Sequence, residues 1–68
     1  MTTAEITVDR YIRLPEVKHL TGLSKAQIYA LISQGQFPKQ IKISDRASAW
    51  VESRVRDWMN ERADQSEA

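Results

Sequence analysis

Two short runs hold the side chains that invite a chemical reading in this 68-residue chain. The first is SKAQIYALIS, residues 24–33. At about 100° per residue, with Ile28, Leu31 and Ile32 turned inward, Ala26, Ala30 and Ser33 face outward. Lys25 and Tyr29 then lie along one flank and Gln27 along the other. A helix that enters a DNA major groove about 12 Å wide must come close to base edges, and small outward residues permit that approach. Alanine methyls can meet a thymine methyl and Gln27 can read an adenine, while Lys25 and the Tyr29 hydroxyl suit phosphates, which fix register. The second run is KQIKISDR, residues 39–46, where Lys39, Lys42 and Arg46 could grip the backbone beside that helix. Each feature has a plainer reading. Ala26 and Ala30 are good helix formers on any solvated face, and lysine keeps an edge strand soluble.

Enzymatic chemistry finds no foothold. His19 is the only histidine and there is no cysteine, so no metal site of those ligands can be completed. Ser24 has no histidine at a recognisable spacing to activate it. Gly22 and Gly35 stand alone and make no phosphate loop. No enzyme, metal or cofactor is expected.

The positioning elements are legible around these runs. Tyr11 to Leu14 is β-prone, and Pro15 followed by Glu16 suits the first turn of a helix. Val17 and Leu20 give that helix a small apolar stripe before it stops near residues 21–22. The second helix is written more firmly. Ser24 with Gln27 three residues on makes a capping box, and Leu23 and Ile28 occupy the staple positions. Gly35 and Pro38 end it. Gln27 cannot fully serve both the box and a base in one rotamer. Only residues 21–23 separate the two helices, the spacing of a helix-turn-helix.

A small hairpin is expected next, with QIKI and ASAW as strands and SDR as the turn. Strict alternation puts Gln40, Lys42 and Ser44 on one face and Ile41 and Ile43 on the other. A third helix is expected over about residues 52–63, with Val55, Trp58 and Met59 inward and Glu52–Arg56 as an exposed i, i+4 pair. Phe37, Trp50 and Trp58 read as core rather than as base-stacking platforms. The fold class is therefore mainly α with a small β-hairpin: a flexible N-terminus over residues 1–9, one domain over 10–63 and a disordered tail over 64–68.

Charge is divided along the chain. The formal net charge is +1, yet residues 10–48 hold seven Lys and Arg against two Asp and Glu, between acidic ends. A basic middle points to a polyanionic partner. The absence of cysteine, of a signal pattern and of any long apolar run leads us to expect a cytoplasmic protein with no membrane segment.

The order YIRLPEVKHLTGLSKAQIYALISQGQFPKQIKIS, then Arg46, then SAWVESRVRDWM resembles the AlpA family of phage and prophage regulators, over about residues 10–62. These are small winged-helix proteins related to the MerR DNA-binding domain and to phage excisionases. The resemblance implies a winged helix-turn-helix that binds double-stranded DNA and controls integrase and excision functions. By position it places Ser24, Lys25, Ala26, Gln27 and Tyr29 in the recognition helix and Lys42 and Arg46 in the wing. Ser44 stands where the family usually has glycine and Ala47 where serine is frequent, which bears on the contacts of Ser44 and Ser48. So small a module implies a homodimer or a cooperative oligomer on DNA, with integrase or RNA polymerase as protein partners and the nucleoid as its location. Two alternatives stand beside this: an architectural excisionase that bends attachment-site DNA, and a protein-interaction adaptor such as an antitoxin or anti-repressor.

Overall fold

A computed structural model describes residues 9–66. In chain order the elements are β1 (Tyr11–Ile12), α1 (Leu14–Thr21), α2 (Lys25–Ser33), β2 (Ile41–Ser44), β3 (Ala47–Val51) and α3 (Glu52–Ser66). The strands form one antiparallel sheet in the order β1-β3-β2. Two helices joined by a tight turn, followed by the β2–β3 hairpin and a supporting helix, make a winged helix-turn-helix.

Local chemistry explains where α1 and α2 begin and end. Arg13 is extended ahead of α1, and Pro15 follows in the first turn. Gly22 stops α1 in the left-handed region at φ 76°, its N–H donating to the Lys18 carbonyl at 2.8 Å. Thr21 then fixes the turn. Its hydroxyl donates to the Val17 carbonyl at 2.8 Å and accepts from the Leu23 N–H at 3.2 Å. At the far end of α2, Gly35 has φ 73°. The Gln36 N–H reaches the Leu31 carbonyl at 2.8 Å and the Gly35 N–H reaches Ile32 at 3.0 Å, the paired bonds of a Schellman stop.

Each helix contributes one fully buried residue, Val17, Ile28 and Val55, to a core completed by Ile12, Phe37, Ala49 and Trp50. Leu23, Leu31, Ile32, Trp58 and Met59 pack around it, partly buried. Trp50 is 1% exposed, and its Nε1–H donates to the Pro38 carbonyl at 2.9 Å, which ties the loop after α2 to the central strand. Trp58 is only half-buried. It meets Phe37 edge-on at 4.8 Å, carries the Arg62 guanidinium over its ring at 4.8 Å and donates to the Gln36 carbonyl.

Several expectations need correction. Of the N-terminus expected to be flexible, residues 1–8 lie outside the described residues, but Asp9 is anchored. Its carboxylate accepts from the Ser53 N–H at 3.1 Å and the Ser53 hydroxyl at 2.8 Å. The Glu52 N–H donates to the Arg10 carbonyl at 2.8 Å, so residues 9–10 supply acceptors that the first turn of α3 would otherwise lack. At the other end α3 continues to Ser66, and Asp64, Gln65 and Ser66 are helical where a disordered tail is expected. No glycine or proline interrupts the chain after Pro38, so nothing there stops the helix. Residues 67–68 lie outside the described residues.

The Glu52–Arg56 pair forms at 2.8 Å and is part of something larger. Arg10 bridges Glu52 at 2.9 Å and also pairs with Glu16, linking the approach to β1 with α1 and α3. Hydrogen bonds from Arg10 first and Arg56 second hold the Glu52 carboxyl below the usual carboxylate range. Those it donates to Glu52 and Glu16 raise the Arg10 guanidinium above its own.

Candidate nucleic-acid interface

The capping box that starts α2 is complete. The Gln27 N–H donates to Ser24 Oγ at 3.1 Å, and the Ser24 N–H donates to Gln27 Oε1 at 2.9 Å. The outward face behaves as the helical spacing requires: Lys25, Ala26, Gln27, Ala30 and Ser33 are all exposed. Ser33 is less available than its exposure implies, since its hydroxyl donates to the Ala30 carbonyl at 2.8 Å. Tyr29 is 36% exposed. Its ring lies 6.3 Å from that of Trp50 at 60°, so the phenol leans on the sheet.

That contact relates the helix to the wing. The register pairs Lys42 with Ser48 and Ile12 with Trp50. Positions 48 and 50 share a face of β3, so Lys42 and Ser48 lie on the sheet face that bears Trp50, the side on which Tyr29 packs. The aromatic pair thus sets α2 and Lys42 on a common side. Sequence reading assigns Trp50 to the core but misses this positioning role. Its only local signal is an aromatic residue following the small residues 47–49 in a strand.

The tip of the hairpin departs from simple alternation. The register slips between Lys42 and Ser44, so Ser44 faces Ala47 and no longer shares the Lys42 face. Ile43, expected to share a face with Ile41, is 42% exposed. The cause is the turn chemistry. Among the described residues only Gly22 and Gly35 have positive φ, so Asp45 and Arg46 cannot form the primed turns that match strand twist. A slipped register absorbs the mismatch, as a β-bulge does. Lys39, Lys42, Ser44 and Arg46 are exposed, whereas Ser48 is half-buried on the central strand. Ser48 therefore sits beneath Lys42 rather than at the tip.

The cations of this surface are left out of ion pairs, as are Arg13, Lys18, Arg54 and Arg62 elsewhere among the described residues. Among the described residues the ion pairs involve Arg10, Glu16, Glu52 and Arg56 alone. Lys25, Lys39, Lys42 and Arg46 have no carboxylate partner among the described residues. Unpaired cations flanking a helix face of small side chains can neutralise a polyanion while letting the helix approach it closely. No described helix is long and apolar enough to cross a membrane.

A family model described as prophage CP4-57 regulatory protein (AlpA) matches residues 10–63. An uncharacterized protein of Enterobacteria phage P4, ORF88, is 46% identical over 59 residues, covering 87% of this chain and 67% of that protein. The DNA-binding transcriptional activator AlpA of Escherichia coli is 29% identical over 59 residues, covering 78% of this chain and 84% of that protein.

Proposed function

The chain belongs to the AlpA family of prophage regulatory proteins, and on that premise we propose that it is a sequence-specific DNA-binding transcriptional regulator of a prophage or other mobile element. In this reading α2 enters the major groove, its N-terminal residues Lys25, Ala26 and Gln27 and the next turn, Tyr29 and Ala30, facing base edges and the flanking phosphates. Lys39, Lys42 and Arg46 hold the neighbouring backbone, with Ser24, Ser33, Ser44 and Ser48 as lesser polar contacts. The genes controlled are those for integrase and excision. A single module makes few base contacts, each discriminating by about 1–3 kcal/mol, so several copies act together on repeated sites. The protein works at the nucleoid in the cytoplasm, beside integrase or RNA polymerase.

One observation carries this reading: Lys42 lies on the sheet face that bears Trp50, against which Tyr29 of α2 packs, while among the described residues the ion pairs cluster around Arg10 and Glu52. The experiment is a salt titration of duplex affinity. Each neutralised phosphate contributes about 0.9 to the log–log slope. Lys42→Ala should lower the slope by about one unit and weaken binding to all sequences alike. Duplex affinity indifferent to salt, and unaltered in Lys42→Ala, would contradict the proposal and favour the adaptor reading.

A further inference from the structure

The capping box restricts what Gln27 can say to a base. Its Oε1 accepts from the Ser24 N–H at 2.9 Å, and the backbone donor fixes the orientation of the carboxamide, because only oxygen can face an N–H. The side chain is exposed, and its Nε2 makes no hydrogen bond among the described residues. What Gln27 offers to the outside is therefore a pair of unengaged N–H donors, beside an oxygen that already accepts one bond and keeps one lone pair. Reading adenine takes oxygen and nitrogen together, against N6 and N7. The bond to the Ser24 N–H, one of the orphan donors at the start of a helix, tethers the oxygen and opposes its turning to meet N6, while Nε2 stays free.

Resting on the DNA-binding reading above, we infer that Gln27 is a specificity-determining residue for a keto base. Held in its box, it donates from Nε2 to guanine O6 or to thymine O4, the keto oxygens, and discriminates against the amino groups that adenine and cytosine present there. The position fits, since the N-terminal residues of a recognition helix contact base edges. The same geometry makes the preference reversible by one atom. Glutamate closes a capping box as well as glutamine does, and a helix N-terminus favours its charge. Gln27→Glu thus keeps the bond to Ser24 while replacing the outward donor with an acceptor, which asks for an amino base.

The test is selection from a randomised duplex pool by the wild type and by Gln27→Glu, each accompanied by a thermal melt. The variant should melt no lower than the wild type. At one base-pair position the preference should move from guanine or thymine to cytosine or adenine, the ratio changing by about 5- to 150-fold while other positions hold. The added charge lowers affinity for every duplex, so the readout is the ratio between bases. An unchanged base preference in the variant would overturn the assignment, and so would a wild-type preference for adenine at that position. A wild type that binds no duplex would remove the DNA reading itself.

Discussion

Trp50→Ala leaves the domain largely unfolded at room temperature. Trp50 is 1% exposed, pairs across the sheet with Ile12, supports the Tyr29 ring and donates to the Pro38 carbonyl. Truncating a buried aromatic to alanine costs about 3–5 kcal/mol. A 68-residue domain without disulfides starts near the low end of the usual 5–15 kcal/mol range. The far-UV circular dichroism of the variant should lack a cooperative melt, whereas Trp50→Phe should retain one at a lower midpoint, since it keeps most of the packing and orphans one carbonyl. Trp58, which sequence reading ranks beside Trp50, carries less: it is half-buried and packs on the rim. A cooperative Trp50→Ala transition within a few degrees of the wild type would refute this account of the core.

The second large effect separates binding from folding. Ala30 is exposed at the middle of the outward face of α2. Surface substitutions away from caps and cores usually change stability by no more than about 0.5 kcal/mol. Ala30→Phe should therefore melt with the wild type. On DNA its ring would stand between helix and base edges and hold the helix out of the groove. Losing base contacts takes binding towards its non-specific level, commonly 10³-fold or more below the specific one, so we expect at least about 100-fold weaker affinity for the preferred duplex. Fluorescence anisotropy measures this directly. Equal affinities for the two proteins would place the DNA elsewhere.

What the sequence reveals divides by the range of the interactions. The capping box, the Schellman stop at Gly35 and the left-handed Gly22 are decided within a few residues, and SKAQ, QGQFP and TGL state them openly. The inward stripes of the helices are legible for the same reason: Val17, Ile28 and Val55 sit where helical periodicity puts them. The pairing of β1 with β3 is not legible, because two residues, Tyr11 and Ile12, find partners about 40 positions away. The anchoring of Asp9 on Ser53 and of Arg10 on Glu52 is equally distant in the chain. The exposure of Ile43 escapes alternation because a turn lacking positive φ shifts the register.

The proposed interface is partly legible. Its helix face and its cations are read correctly as exposed, but their common side depends on Tyr29 meeting Trp50 across the fold. The conflict over Gln27 is visible in the sequence. Its resolution is not, since only the bond from the Ser24 N–H shows which end of the carboxamide is occupied.

The central claim is that the bare side of α2 is where a duplex sits. Backbone amide chemical shifts of the labelled protein, followed as a selected duplex is added, test it most directly. The account predicts the largest changes at Ala26, Tyr29 and Ala30, with Lys42 and Arg46 next and the exposed side of α3 nearly still. Changes confined to α3 or to the Arg10–Glu52 end, with Ala26 and Ala30 silent, would contradict it.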